Sequence, residues 1–265
     1  MKKIVKTLTM AAVCCGAQGA AFAQSSAPNE PIEPETPPLI TDRPDFTESP
    51  QTVSKGMTQI EAGITYERSG DAKATTIGET LIRVAAGKRA EVRIGIPSYI
   101  TARDGVGRAS GLDDAFLGAK FVLAEREKFP LALLVGTTLP TGSRSVAARK
   151  ISPEAVLATE VGLSEKTGLA FNAGIGRPDD GGGRYSQIFG SISLAHDVSD
   201  RVGAYLEAYA FNRTERGGDS QKFINGGLTY ALNPNLQLDA RIGKGVGNDV
   251  SGSEYFYGFG VAKRF

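Results

Sequence analysis

From Gln59 to the last residue, the chain changes character at every second position, and this period decides the fold class. Ile60, Ala62, Ile64 and Tyr66 share one face of the first run, and Gln59, Glu61, Thr65 and Glu67 share the other. Thr80, Ile82 and Val84 then alternate with Glu79, Leu81 and Arg83. Val92, Ile94 and Ile96 alternate with Glu91, Arg93 and Gly95, and Ala115, Leu117, Ala119, Phe121 and Leu123 alternate with Asp114, Phe116, Gly118 and Lys120. Similar runs continue through Leu131–Leu139, Ala155–Leu163, Leu169–Ile175, Ile188–Leu194, Val202–Ala210, Ile224–Tyr230 and Leu236–Ile242 to Tyr255–Phe265. A helix would repeat every 3.6 residues; period two means strands. About twelve strands of ~8–12 residues are expected, the length that crosses a hydrocarbon layer when tilted.

The connections carry a second signal. Gly87-Lys88-Arg89, Ser164 to Gly168, Ala195 to Arg201 and Ala231 to Asn235 are short. Thr101 to Gly111, Gly142 to Ser152, Arg177 to Arg184, Asn212 to Ser220 and Lys244 to Ser253 are longer and rich in Gly, Asp, Ser and Arg. Short and long alternate, as periplasmic turns and outer loops do in a membrane barrel, and an even strand count puts both termini on the periplasmic side. A soluble sandwich could match the strand spacing but has no reason for this alternation. With no long apolar helix in the sequence, a barrel is the one membrane-crossing structure open to the chain. The 33 glycines suit tightly curved backbones and large lumen side chains.

Met1 to Ala23 has the parts of a signal peptide: Lys2, Lys3 and Lys6, then apolar Leu8 to Gly16, then the small-x-small site Ala21-Phe22-Ala23. Both cysteines, Cys14 and Cys15, fall inside it, so a processed chain has none. A lipidated Cys14 is the alternative, disfavoured by bulky Val13. Residues 24–56 form a lead, Pro-rich and extended as far as Pro38, that contains Thr41-Asp42-Arg43-Pro44-Asp45-Phe46-Thr47-Glu48-Ser49-Pro50. The barrel is expected over 57–265. A net charge of +1 gives no field for nucleic acid.

Three segments point to a family. Thr41 to Pro50, Leu139-Pro140-Thr141-Gly142 and Asn235-Leu236-Gln237-Leu238-Asp239 resemble those of the bacterial family labelled for the meta-pathway of phenol degradation, from about Thr41 to Phe265. The resemblance implies an outer-membrane barrel of transporter type and a role in uptake of aromatic compounds, and it supplies no set of functional residues. The last strand likewise resembles the closing strand of outer-membrane barrels, whose terminal aromatic is the segment recognised for insertion. Phe265 is thereby the expected signal to the barrel-assembly machinery, and outer-membrane lipid the expected surroundings.

Candidate site residues follow from the inward register. Glu79, Arg83, Arg93, Lys120, Asp239 and Arg241 put both signs of charge in the lumen, either as ion-pair ladders that fill it or as a constriction for a polar or weakly acidic solute. Phe116, Phe189, Tyr205, Tyr209, Phe211, Phe223 and Phe256 put rings there, which either guide a small aromatic or hydrophobic solute or pack the lumen. Asp42, Arg43, Asp45, Phe46 and Glu48 precede the first strand. They are either a periplasmic lead or a gate, folded into the barrel mouth with its charges paired to the wall and Phe46 wedged behind them. Tyr66, Tyr99, Tyr230 and Tyr255 suit interfacial girdles. Catalysis is disfavoured: His196 is the one histidine, is expected in a turn at the periplasmic end, and has no Ser partner in its own segment. One His and no cysteine in the processed chain leave no metal set, and no cofactor is expected. The sequence therefore leads to a passive channel for small solutes, with a plugged structural or adhesion barrel as the alternative.

Overall fold

The structure, a computed structural model, describes residues 38–126, 128–247 and 253–265. The leader over 1–23 and the Pro-rich stretch 24–37 lie outside the described residues. Fourteen strands occur in them: β1 (Thr58–Ser69), β2 (Ala72–Ala85), β3 (Ala90–Ile96), β4 (Tyr99–Arg103), β5 (Arg108–Leu112), β6 (Ala115–Ala124), β7 (Leu131–Leu139), β8 (Ser152–Ser164), β9 (Thr167–Gly176), β10 (Gln187–Asp197), β11 (Val202–Phe211), β12 (Gln221–Asn233), β13 (Leu236–Gly245) and β14 (Tyr255–Arg264). β2 pairs with β3 through Thr80–Ala85 and with β4 through Lys73–Ile77, so β3 and β4 are halves of one interrupted stave. β6 continues along β3 and β5 along β4, which makes β5 and β6 another. Counted as staves, the strands form a closed antiparallel barrel of twelve, as the alternation predicts. β1 pairs with β14 on one side and β2 on the other, and a reciprocal Thr58–Phe265 backbone pair (2.8 and 3.2 Å) finishes the seam. Closure leaves no unpaired sheet edge, the condition for crossing lipid with strands.

Both described ends of the chain lie at the same mouth, where Arg264 Nη1 donates to the Pro38 carbonyl at 2.9 Å. The connections at this mouth are compact, down to Glu165-Lys166 and Pro234-Asn235. The far mouth carries the long ones, with two departures from expectation. The first far connection is only Gly70-Asp71, with Gly70 at φ 57°, and the expected long loop from Thr101 to Gly111 is mostly strand, leaving four residues between β4 and β5. Gly/Arg/Asp-rich composition there had masked a tight hairpin. Residues 140–151 do form a long connection, and it turns inward, with Val146 buried against Ala74, Ile100 and Ala102.

The faces are inverted relative to a soluble protein. Ile64, Ile94, Leu117, Leu157, Ile192, Leu206, Leu228 and Phe259 are exposed on the outer wall, whereas Gln59, Glu61, Arg83, Glu91 and Lys120 are among the most deeply buried side chains. Tyr66 stacks on Tyr257 at 5.1 Å and lies near Tyr255 at the far rim; Tyr99 and Tyr230 also face outward. These are the apolar band and the aromatic rim of an outer-membrane barrel. Leu206→Arg, mid-way along β11 with its side chain 64% exposed, is expected to destabilise the folded barrel by about 2–4 kcal/mol. Reversible unfolding in phospholipid vesicles would measure it.

Three neighbouring staves are irregular at the same height. Gly78 and Glu79 have positive φ (109° and 33°), Pro97-Ser98 separates β3 from β4, and Asp113-Asp114 separates β5 from β6. Pro97 has no N–H to give a ladder, so regular pairing stops there. Across the gap, Asp113 N donates to Ser98 O at 2.8 Å and holds the two broken staves together.

Candidate functional site

The lumen is occupied by the chain's own N-terminal segment. From Pro38 the chain enters the barrel at the terminal mouth, reaches its deepest point near Phe46, and returns through Gln51 and Val53 to β1. Every residue from Thr41 to Pro50 is buried. A stretch with seven charged or hydroxyl side chains flanking one Phe has no core of its own; it is buried because the wall supplies a partner to almost every group.

Asp42 is the centre of the lower half. Its carboxylate meets Arg83 at 3.1 Å, Lys120 at 3.2 Å and Arg93 by a shorter contact, and its backbone N–H donates to both Glu61 oxygens at 2.9 Å. Arg83 also reaches Glu91 (2.9 Å) and Glu61 (3.1 Å), so charges alternate in sign through the cluster. Glu48, on the returning limb, pairs with Arg93 at 2.9 Å and Lys120 at 3.4 Å. Val53 N donates to Glu91 at 2.7 Å, and Gln51 donates to Glu160 at 2.8 Å.

Arg43 points the other way, to Glu79 at 2.8 Å and Asp239 at 3.3 Å. It lies across Gly63 and Gly260, where a Cβ would overlap the guanidinium, so these two glycines make the room it needs. Arg241 Nη1 donates to the Pro44 carbonyl (2.9 Å) and its guanidinium carbon sits 5.6 Å from the Phe256 ring.

Glu207 binds the apex. It accepts from Phe46 N (2.8 Å), Thr47 N (2.6 Å) and Thr47 Oγ1, while Ser193 donates to Asp45 at 2.7 Å and Asn172 brackets Glu48 through its backbone N–H and C=O. The Phe46 ring stacks on Tyr209 at 4.4 Å and meets Phe211 and Phe189 edge-on at 5.5 and 5.8 Å; Phe223 stacks behind Tyr209 at 4.9 Å.

The sequence-derived positions divide accordingly. Glu79, Arg83, Arg93, Lys120, Asp239 and Arg241 all touch the segment. Phe189, Tyr209, Phe211 and Phe223 form one aromatic nest, with Phe46 its occupant. Phe256 lies under Arg241. Tyr205 is buried, and its hydroxyl has no hydrogen bond among the described residues. Phe116 stands apart at the irregular staves. His196 is not in a turn as expected but near the end of β10, exposed, with Thr167 Oγ1 at 2.9 Å from its Nδ1. β10 runs to Asp197 and β11 starts at Val202, so the β10–β11 turn begins later than the Ala195 at which the sequence suggests it. Asn172, Ser193, Asn225 and Glu154 were missed. The first three lie on the inward register, but only charges and rings were sought there; Glu154 falls one residue before the expected start of its strand.

Beside the segment is a cavity of about 90 Å³. Phe46 and Glu48 of the segment form one side. Phe116, Leu134, Val156 and Glu154 form the other, and the cavity extends to Ile96, Ser98 and Asp113 at the broken staves. Phe116 lies flat across Gly118 and Gly136, where a Cβ would collide with its ring, and so leaves the space open.

The three segments singled out in the sequence prove to be parts of this assembly. Thr41 to Pro50 is the plug. Gln237 donates to Thr41 Oγ1 at 3.0 Å, and Asp239 holds Arg43. Gly142 N donates to Asp114 at 2.8 Å and Arg149 reaches the Gly142 carbonyl, which ties Leu139 to Gly142 against the β5–β6 break. Residues 41–265 match the family described as "Putative MetA-pathway of phenol degradation". The chain belongs to that family. Among curated proteins, none matches the sequence. Solved structures with a similar fold include an outer membrane channel from Pseudomonas putida F1 (14% identity, TM-score 0.58, 81% of this chain and 97% of that one). The KdgM porin (12%, 0.54, 78% and 99%) and the NanC porin (9%, 0.55, 77% and 98%) are also similar. At these identities the likeness is one of fold, and it matches the outer-membrane type of barrel this family member forms.

Proposed function

We propose that the protein is an outer-membrane channel for passive uptake of small aromatic or hydrophobic solutes, gated by its N-terminal segment. The observation that carries this reading is what fills the lumen. Barrels of about eight strands are filled by wall side chains, and those of about 16–18 leave an aqueous channel. Twelve staves leave room for one additional chain segment, and here that segment comes from the stretch before β1, outside the ladder that closes the wall. The family's label supports an aromatic solute, as does the ring-lined nest that Phe46 occupies. The channel and porin neighbours support permeation, and the leader-like N-terminus supports export before insertion into outer-membrane lipid, with Phe265 as the mark for the assembly machinery. Thr167 Oγ1 and His196 Nδ1 are within hydrogen-bond reach, but the pair is exposed near the β9–β10 end of the wall and away from the lumen cavity, so the reading is of a channel rather than an enzyme.

The density of buried ion pairs favours a second reading, a closed structural or adhesion barrel. Planar-bilayer recording of refolded residues 24–265 separates the two. Brief discrete openings that phenol blocks in a concentration-dependent way are expected for the channel. A heat-modifiable, correctly folded barrel that stays silent with and without phenol, and loads no phenol into vesicles, would leave only the structural reading.

A further inference from the structure

We propose that the cavity beside Phe46 is a binding site for small aromatic amines in their cationic form, with Glu154 as the group that holds the ammonium and the rings of Phe46 and Phe116 as the faces that hold the aromatic ring. This rests on the uptake reading for its role, but the site is defined by its own chemistry. Its volume, about 90 Å³, is of the order of the ~150 Å³ apolar cavity that admits one benzene. Its floor is apolar: Phe46, Phe116, Leu134 and Val156.

Its charge is one-sided. Arg93 is the cation in the lining, and it is committed: Nη1 to Asp42 and Glu91, Nη2 to Glu48 at 2.9 Å. The lining carboxylates are mostly committed as well. Glu79 pairs with Arg43 at 2.8 Å, and Asp113 and Asp114 accept backbone N–H groups at 2.7–2.8 Å. Glu154 is different. It lines the cavity from β8 and has no hydrogen bond or ion pair among the described residues. On the opposite side Glu48, from the plug itself, is already paired, Oε1 with Arg93 at 2.9 Å and Oε2 with Lys120 at 3.4 Å. Glu154 is therefore the one uncommitted carboxylate, among the described residues, facing an apolar slot whose lining cation is already used. A carboxylate-bearing aromatic would meet like charge and find no free donor. A ring with an ammonium would give Glu154 a charge-assisted hydrogen bond and place its face on Phe46 or Phe116, where cation–π attraction adds to ring packing. Because one side of the site is the plug, an occupied site touches the gate directly.

The test is binding to refolded residues 24–265 in detergent micelles, by calorimetry and saturation-transfer NMR, with phenethylammonium, phenol and benzoate as probes and empty micelles as the partition control. Affinity is expected to fall in that order. Glu154→Gln, which keeps size and loses charge, is expected to weaken phenethylammonium about tenfold or more, while phenol changes much less. Benzoate bound as tightly as phenethylammonium by the unsubstituted protein would overturn the proposal, whether or not any variant folds. So would a folded Glu154→Gln protein with unchanged phenethylammonium affinity. Conduction is not part of this readout: a silent barrel with the expected order of affinities removes the uptake reading and leaves the site, and a conducting barrel that prefers benzoate does the reverse.

Discussion

Deleting Leu39 to Ser49 is expected to give a barrel with a steady conductance well above that of the intact chain. The wall does not need the plug to close, because the ladder from β1 to β14 and the Thr58–Phe265 pair lie wholly outside it. What the plug removes on leaving is Phe46 from the aromatic nest and Asp42, Arg43 and Glu48 from the charge clusters. Water then enters along Glu61, Arg83, Glu91, Arg93 and Lys120, which still pair among themselves and are well able to be solvated. The wall also contributes Glu67, Glu79, Glu154, Glu160, Glu207 and Asp239, which the remaining lumen cations do not match in number. The open channel is therefore expected to pass cations in preference to anions, and reversal potentials under a salt gradient read that directly. Heat-modifiable migration of the deleted protein checks that it is folded. Conductance no greater than that of the intact chain, in a folded barrel, would show that the wall alone closes the lumen and would remove the gate from the proposed function.

The barrel was legible in the sequence because its cause is local. Lipid outside and a crowded polar lumen inside demand opposite residues at successive positions, and Gln59 to Tyr66 or Ala115 to Leu123 print that demand without reference to any other part of the chain. The inward charges and rings were legible for the same reason. The irregular belt was less so. Pro97 is visible in the sequence, but the broken run at Asp113-Asp114 and the positive φ of Glu79 become intelligible only when three staves are seen side by side. Partnership was the hardest to read. Asp42 and Lys120 are 78 residues apart, and Arg43 and Asp239 are 196 apart; nothing local says which acid meets which base. The two alternatives for the inward rings, solute path or packing, also depended on Phe46, whose place in the nest is set by Glu207 and Asn172 gripping the backbone on either side of it. Asn172 carries no charge and no ring, so a search for either passed over it.

The charge at Asp42 makes the sharpest single-residue case. Arg83 and Lys120 side chains are fully buried, and Arg93 is nearly so; all three converge on this one carboxylate. Breaking a buried pair by removing one partner costs about 3–5 kcal/mol, because the charge left behind is neither solvated nor matched. Glu61, Glu91 and Glu48 remain nearby and offset part of that, which puts Asp42→Ala at the lower end of the range for the docked state. The undocked state bears none of this cost, since water reaches the three cations once the segment leaves. The substitution therefore acts on the equilibrium between docked and free plug, and about 3 kcal/mol corresponds to a rise of roughly 100-fold in the free population. Two measurements bear on it. Open time in bilayer recordings should rise by about that factor. A cysteine placed at Ser49, which is fully buried and would be unique in residues 24–265, should become labelled by a water-soluble maleimide far faster in the Asp42→Ala background. Both substitutions keep the Glu61 contacts, which run through the backbone N–H; Asp42→Asn also keeps the side chain's size and one acceptor oxygen for the three cations, and should fall between Asp42→Ala and the unsubstituted protein. Unchanged labelling in a folded Asp42→Ala barrel would mean that Glu207, Asn172 and the ring nest hold the plug unaided, and that the lower charge cluster serves the wall rather than the gate.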